Sequence, residues 1–191
     1  MQTPLIVMAL ESESQGKLEA LGVEVLYCGV GKVNAAYHLT RRLHELARAG
    51  QTVPYVLNLG SAGSHHFNTG TLVEIDRFVQ RDMDAVALGF AYGQTPFDTT
   101  PATISVPRRF HHLTAGMCGS GDSFVEGAPP IPCDVVEMEA FAMAKVCLHE
   151  GVSFTSVKYI TDGADGNASR DWQANLAAAA QCFHELLTTK G

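Results

Sequence analysis

Basic residues are scarce in this sequence: 13 Lys and Arg stand against 20 Asp and Glu, which gives a formal net charge of −7 at pH 7. The Lys and Arg residues form no cluster, so we do not expect binding to nucleic acid or to an anionic membrane through a basic face. The hydrophobic content of 46% is ordinary for a globular protein. We therefore expect the ligand to be a small molecule that is neutral or cationic.

Several familiar signatures are also missing. No stretch approaches the length of a membrane span, and residues 1–10 lack the basic region and apolar run of a secretion signal. The five cysteines include no C-x-x-C pair, which favours reduced thiols in a cytoplasmic protein. Neither a metal-binding H-x-x-x-H pattern nor a G-x-S-x-G nucleophile motif occurs, and nothing suggests a metal or an organic cofactor.

Strand-like apolar runs alternate with helical patterns along the chain. The clearest helical pattern covers residues 32–49, where apolar residues recur three and four apart and Gly50 follows as a C-terminal cap. Strands are predicted at 4–10, 23–28, 55–59, 71–80, 103–106, 113–117 and 153–161, and further helices at 13–21, 137–149 and 169–188, the last with Ser169 as its N-cap. This order predicts one α/β domain over residues 1–191 with a mainly parallel sheet.

Carboxylates concentrate where a helix is predicted to begin and where a strand is predicted to end. Glu137 and Glu139 precede an alanine-rich helical stretch, and Asp162 and Asp165 follow the last strand. Both positions face the crevice at the strand ends of an α/β sheet, which is where such folds bind ligands. Paired acids there indicate acid–base chemistry on a small molecule, although each acid could instead be a solvated or helix-capping carboxylate.

Glycine-containing turns supply further candidate contacts. Residues 60–63, Gly-Ser-Ala-Gly, follow a strand and would let a ligand approach the backbone N–H groups and the Ser61 hydroxyl, or would simply form a tight turn. Residues 119–124 contain Phe124, which could stack on a planar base or belong to the core. The segment at 29–32 is not a phosphate loop, because the glycine and the hydroxyl residue that this motif requires are missing.

Five motifs occur in the order seen in purine nucleoside phosphorylase-like proteins. They are Cys28–Ala36, Asn58–Gly63, Gly119–Phe124, Val136–Ala140 and Ile160–Asp165. Within that superfamily the chain most resembles the 5′-methylthioadenosine/S-adenosylhomocysteine nucleosidases, from Ala9 through Leu187. The resemblance implies a three-layer α/β/α fold with a central twisted mixed sheet, shortened in several loops, and a homodimer. The implied reaction is hydrolysis of the N-glycosidic bond of a purine nucleoside, with release of adenine.

The resemblance also assigns roles to individual residues. Asp162 would be the general acid that protonates the purine N7, and Glu13 would activate the water, with Glu11 two residues away in the same motif. Glu139 would bind the ribose hydroxyls while Met138 packs on the sugar. The remaining substrate-binding positions are Ser61 near the ribose and water, Phe124 stacked on the base, Val125 at the edge of the base, Lys158 near the water, and Glu137.

Three alternatives remain open. The first is a phosphate-dependent phosphorylase, but related phosphorylases carry arginine just before the glycine loop, where this chain has Asn58 and Leu59, and Glu13 would repel a dianion. The second is a related hydrolase for another 5′ substituent, such as futalosine or an adenosylated lipid, because segments around residues 93–113 and 125–135 are short for the family. The third is a protein that binds nucleosides without turnover.

Overall fold

A computed structural model describes residues 3–124, 127 and 129–189. Strands and α-helices alternate along these residues. In chain order they are β1 (Leu5–Met8), α1 (Glu11–Ser14), β2 (Val25–Tyr27), α2 (Lys32–Arg48), β3 (Val56–Gly63), β4 (Leu72–Gln80), β5 (Thr103–Ser105), β6 (Thr114–Ser120), β7 (Val135–Glu137), α3 (Ala140–Glu150), β8 (Phe154–Asp162) and α4 (Ala168–Thr188). Short 3₁₀ helices lie at Glu19–Leu21 and Val86–Leu88.

The strands form a mixed sheet that closes partly on itself. Strand β1 pairs in parallel with β2 and β3, and β3 pairs in parallel with β8. Strand β8 also pairs antiparallel with β4, and β6 and β7 lead from β4 back to β3, which completes a ring of five strands. The predicted α/β class and mixed sheet are confirmed. The three-layer description holds only in part, because the middle layer is a small barrel rather than an open sheet.

Helices cover both sides of this sheet. Leu39 of α2 and Met143 of α3 are fully buried in one hydrophobic cluster, and Phe183 of α4 is fully buried in the other. Successive residues of β1 alternate between the two clusters, as the two-residue period of a strand requires. Strand β8 is buried along its whole length, including its polar residues Lys158 and Asp162. Among the described residues, no helix is both long and apolar enough to cross a membrane.

Two differences from the predicted elements bear on the functional residues. Residues 60–63 continue strand β3 instead of forming a turn, because their small side chains leave room for groups from neighbouring elements. Val135–Glu137 is an additional short strand, paired in parallel with β6, so α3 begins at Ala140 rather than at Glu137. Glu137, the last residue of this strand, is therefore held at the edge of the barrel.

The ends of two other predicted helices also change. The helix predicted at 13–21 consists of the single turn α1 and the 3₁₀ turn at Glu19–Leu21. Helix α4 begins at Ala168, so Ser169 lies inside the helix and the prediction that it caps the helix is wrong. The chain turns into α4 through Asp165, whose carboxylate accepts the Asn167 N–H at 2.8 Å.

Candidate active site

A cavity of about 330 Å³ lies where β3, β8, the start of α3 and the start of α4 meet. This volume is at the lower end of the range for small-molecule sites. Eight of the predicted site residues line it: Glu13, Ser61, Phe124, Glu137, Met138, Glu139, Lys158 and Asp162. Val125 lies outside the described residues. The motifs that are scattered through the sequence therefore converge on one cavity.

Glu13 enters this cavity from helix α1. Its side chain is buried, whereas Glu11 is exposed, so only Glu13 is placed in the site. Its Oε1 atom accepts two hydrogen bonds from Ser61, at 2.8 Å from the backbone N–H and at 2.7 Å from the hydroxyl. Its Oε2 atom accepts the Leu10 N–H at 3.2 Å, in the manner of the acidic residue of a capping box. Three donors from the protein thus hold the carboxylate in one orientation.

Glu137 and Lys158 form a buried ion pair beside it. Lys158 Nζ donates to Glu137 Oε2 at 2.9 Å, and the two side chains are 2% and 3% exposed. The carboxylate of Glu137 also accepts the N–H groups of Glu139 and Ala140 at 3.0 and 2.9 Å and the hydroxyl of Ser120, which together cap the start of α3.

The electrostatics of this pair favour its charged form. Burial alone would raise the pKa of Glu137, but the Lys158 ammonium and the donated hydrogen bonds outweigh it and lower that pKa. Burial alone would lower the pKa of Lys158, but the Glu137 carboxylate outweighs it and raises that pKa. The cavity therefore contains a fixed charge pair of no net charge.

Glu139 occupies the N-cap position of α3. Its Oε1 atom accepts the Gly31 N–H at 2.8 Å, and Gly31 has a φ of +94°, a conformation that side chains rarely adopt. Burial and the neighbouring Glu137 carboxylate raise the pKa of Glu139 to about 8. Near neutral pH the Glu139 carboxyl is therefore largely protonated, and it can both donate and accept a hydrogen bond.

Asp162 is the last residue of strand β8, which pairs with β3. Its carboxylate accepts the Thr161 hydroxyl at 2.7 Å and the Ala164 N–H at 2.9 Å. A Cβ atom on Gly63 would lie only 2.5 Å from Asp162 Oδ1, so this position requires glycine. The glycine motif of β3 thus serves the approach of the acid, in addition to any approach of a ligand.

A family model described as the phosphorylase superfamily matches residues 9–189 of the chain. The chain belongs to the phosphorylase superfamily. Among its relatives, the 5′-methylthioadenosine/S-adenosylhomocysteine nucleosidase of Geobacillus thermodenitrificans is 31% identical, over 95% of this chain and 84% of the relative. The nucleosidase of that name from Actinobacillus succinogenes is 32% identical, over 91% of this chain and 82% of the relative. The predicted resemblance is confirmed.

Solved structures of superfamily members share this fold. A futalosine hydrolase mutant of Helicobacter pylori superimposes with a TM-score of 0.84 at 25% identity, covering 98% of this chain and 97% of that chain. The 5′-methylthioadenosine/S-adenosylhomocysteine nucleosidase of Helicobacter pylori, solved with butyl-thio-DADMe-Immucillin-A, has a TM-score of 0.84 at 24% identity, covering 98% and 96%. The protein is thus an enzyme of the phosphorylase superfamily.

Arg81 and Trp172 also line the cavity, although neither belongs to one of the sequence motifs. Arg81 follows β4 and is buried, and its guanidinium donates to the Gly121 carbonyl and the Ser123 hydroxyl, each at 3.1 Å. Trp172 lies on α4 and donates its indole N–H to Ser61 Oγ at 2.8 Å. The one available sequence signal was that Trp172 is the only tryptophan in the chain.

Arg81 and a neighbouring ion cluster hold the loop that presents Phe124. Lys32 Nζ pairs with Asp82, and the Asp82 carboxylate accepts the Asp122 N–H at 2.8 Å. The Asp122 carboxylate accepts the Lys32 N–H at 2.8 Å, which ties the loop to the start of α2. Phe124 is 53% exposed at the mouth of the cavity. Phe124 therefore lies at the cavity on a loop that these contacts hold, with about half of its side chain exposed.

Across the part of the chain that the structure describes, no group of three or more His, Cys, Asp or Glu side chains is arranged to hold a metal ion. The acids of the cavity instead have hydrogen-bonding partners of their own. Glu13 accepts from Ser61, Glu137 accepts from Lys158, and Asp162 accepts from the backbone after β8.

Proposed function

We propose that this enzyme hydrolyses the N-glycosidic bond of purine nucleosides of the 5′-methylthioadenosine and S-adenosylhomocysteine type and releases adenine. One observation carries the proposal: a single cavity holds Glu13, Glu139 and Asp162 in three distinct environments. Cleavage of a glycosidic bond needs such a division of labour, with an acid for the leaving group, a base for water and a group that holds the sugar. The names of the relatives in the superfamily support the same reaction.

Asp162 is assigned to the leaving group. Adenine departs readily only when a ring nitrogen is protonated, because the electron pair of the broken C1′–N9 bond then stays on a neutral base. The Asp162 carboxyl donates its proton to the purine N7 as that bond breaks. It is kept in place by the Thr161 hydroxyl and the Ala164 N–H. Proton transfer of this kind contributes about 10²- to 10⁴-fold to a rate.

Glu13 is assigned to the water. As the C1′–N9 bond breaks, the ribose becomes oxocarbenium-like, and the oxygen of a water molecule bonds to C1′ while its proton passes to Glu13. A Cβ atom on Gly60 would lie 3.2 Å from Lys158 Nζ and 3.5 Å from Glu13 Oε1, so the ammonium and this carboxylate flank the same glycine. The Lys158 ammonium therefore lies on the same side of the cavity as the Glu13 carboxylate.

The sugar and the base are assigned to the other side of the cavity. The protonated Glu139 carboxyl bonds the ribose hydroxyls as donor and acceptor, and Met138 packs on the sugar. The ring of Phe124 stacks on the purine. Glu137, predicted to bind substrate, has both oxygens occupied by Lys158, Ser120 and the start of α3, so we assign it the positioning of Lys158. The role of Val125 stays a prediction.

The cationic side chains of the cavity are already hydrogen-bonded to protein groups, which favours water over phosphate as the nucleophile. Among the described residues that line the cavity, the cationic side chains are Arg81 and Lys158. Arg81 donates to loop oxygens and Lys158 to Glu137, while Glu13 faces the nucleophile with a negative charge. A phosphate dianion would have to compete with these contacts and with the carboxylate.

A second candidate is hydrolysis of a nucleoside with a different 5′ substituent. The observation that favours it is the TM-score of 0.84 to the futalosine hydrolase, which equals that to the nucleosidase. The assigned acids act on the ribose and on a purine ring nitrogen, which both substrate types contain. The two candidates thus differ in the substituent and not in the chemistry.

We also propose that the enzyme is a homodimer. Large apolar side chains are exposed on α2, at Val33 and Tyr37, and on the segment after β4, at Leu88 and Phe97. The Lys32–Asp82 ion pair joins these two segments beside the cavity mouth. Exposed apolar surface of this kind marks a protein interface. Sedimentation should give a dimer for the wild type and a monomer for Val33→Asp, and a monomeric wild type would contradict the proposal.

The reaction itself is tested by incubating the purified protein with methylthioadenosine, adenosylhomocysteine, adenosine, inosine and futalosine, each with and without phosphate. We expect release of the free base in phosphate-free buffer, with a rate that added phosphate does not raise. A requirement for phosphate, with formation of a sugar 1-phosphate, would contradict hydrolysis. Thermal stabilisation by adenine without cleavage of any nucleoside would favour a binding protein instead.

A further inference from the structure

A chain of hydrogen bonds connects helix α4 to the carboxylate assigned to the water. The indole Nε1–H of Trp172 donates to Ser61 Oγ at 2.8 Å, and Ser61 Oγ lies 2.7 Å from Glu13 Oε1. The three residues come from α4, β3 and α1, so these hydrogen bonds connect elements that are far apart in the sequence. No motif of the sequence includes Trp172.

The direction of this chain follows from the donors that each group possesses. An indole N–H can only donate, so Ser61 Oγ must be the acceptor of the first bond. A serine hydroxyl has a single hydrogen, and with one lone pair taken by Trp172 that hydrogen is free to point at the Glu13 carboxylate. Trp172 therefore donates to Ser61, and Ser61 donates to Glu13.

This direction decides which oxygen of Glu13 can receive a proton from water. Oε1 already accepts both the N–H and the hydroxyl of Ser61, whereas Oε2 accepts only the Leu10 N–H at 3.2 Å. Oε2 thus keeps the greater capacity for another hydrogen bond. If the Ser61 hydroxyl turned away, Oε1 would lose one of its two donors and the orientation of the carboxylate would be held less firmly.

We propose that Trp172 is a positioning residue for the hydrolytic water, acting through Ser61 to fix the orientation of Glu13. Trp172 also forms part of the cavity wall, and Asn175, one turn further along α4, donates to the Thr161 carbonyl at 2.9 Å beside Asp162. Helix α4 is therefore hydrogen-bonded to Ser61, which contacts Glu13, and to Thr161, which precedes Asp162. The role of Trp172 in turnover rests on the proposed function, but the hydrogen bond itself does not.

The hydrogen bond can be tested without any activity. Because Trp172 is the only tryptophan, the protein gives a single indole N–H signal in a ¹⁵N–¹H spectrum. We expect Ser61→Ala to shift this signal and to speed its exchange with solvent. Ser123→Ala, which removes another hydroxyl from the same cavity, is the matched control and should leave the signal in place. An indole signal that Ser61→Ala does not move would overturn the proposal.

Turnover provides the second arm. Trp172→Phe keeps an aromatic wall but removes the N–H, and it should lower kcat about fivefold with little change in KM, which is the size of one neutral hydrogen bond. Combined with Ser61→Ala, it should cause no further loss, because both changes break the same chain. Arg170→Gln, at an exposed site on the same turn of α4, should have wild-type kinetics.

The outcomes separate the two proposals. If the losses from Trp172→Phe and Ser61→Ala multiply in the double variant, Trp172 acts only as a wall and the positioning role is wrong. A rise in KM with unchanged kcat leads to the same conclusion. If the wild type cleaves no nucleoside, the proposed function fails, and the indole signal alone then decides whether the hydrogen-bond chain exists. Thermal melting of each variant identifies any loss of folding.

Discussion

Replacing Glu139 with glutamine should make the free energy of unfolding depend less on pH. The Glu139 carboxyl is 7% exposed, and burial together with the nearby Glu137 charge raises its pKa from 4.5 to about 8. Glutamine has nearly the same shape and keeps an oxygen for the Gly31 N–H, which Glu139 accepts at 2.8 Å. The substitution thus removes the titration while it preserves the main contact.

The sign and size follow from proton linkage. Between pH 4.5 and 8 the folded protein keeps a proton on Glu139 that the unfolded chain has lost, so the free energy of unfolding falls as the pH rises. This stabilisation is complete below pH 4.5 and is lost as the pH passes 8. At about 1.4 kcal/mol per pH unit, the loss between pH 6 and pH 8 amounts to about 2 kcal/mol, allowing for half-titration at pH 8. Glu139→Gln should lack this component.

Urea denaturation at pH 6, 7 and 8 measures the effect. The difference in free energy of unfolding between Glu139→Gln and the wild type should increase by about 2 kcal/mol in favour of the variant from pH 6 to pH 8. Glu11→Gln, which makes the same replacement at an exposed position, is the matched control. A difference that stays constant over this range would refute the claim that Glu139 is protonated in the folded protein.

Three further substitutions test the site. Lys158→Met should lower the free energy of unfolding by about 3–5 kcal/mol because it leaves the Glu137 carboxylate buried without its cation, and Lys158→Met combined with Glu137→Gln should recover part of this loss in the same denaturation assay. Glu13→Gln should lower kcat by about 10²- to 10⁴-fold in an adenine-release assay, with little change in KM. Phe124→Ala should raise KM about tenfold through loss of stacking, and an unchanged KM would remove the ring from the base site.

The acids of the site could be predicted because they belong to motifs with a known order. Even so, the sequence could not choose firmly between Glu11 and Glu13, which lie two residues apart in one short segment. The structure distinguishes them because only Glu13 is buried and reaches Ser61, at 2.8 Å from its N–H. Burial of one face of a four-residue helix is a tertiary property, and such a helix is too short to show a periodic pattern.

Other features depended on pairing between distant segments. Strand β7 has only three residues, and it forms because it pairs with β3 and β6. The local sequence preference alone favoured the start of a helix there. The closure of the sheet depends on β8 pairing with both β3 and β4. Trp172 and Arg81 stand in no motif, and their importance follows only from contacts with Ser61 and with the loop before Phe124.

The most direct test is the rate of adenine release from methylthioadenosine in phosphate-free buffer, measured side by side for the wild type and Asp162→Asn. Asparagine keeps the shape of the acid but cannot donate a proton to the purine N7 from a carboxyl group. We expect the wild type to release adenine without phosphate and Asp162→Asn to be slower by at least about 10²-fold, while it still binds adenine. Near-normal turnover by Asp162→Asn, or a wild type that is inactive until phosphate is added, would contradict acid-assisted hydrolysis in this site.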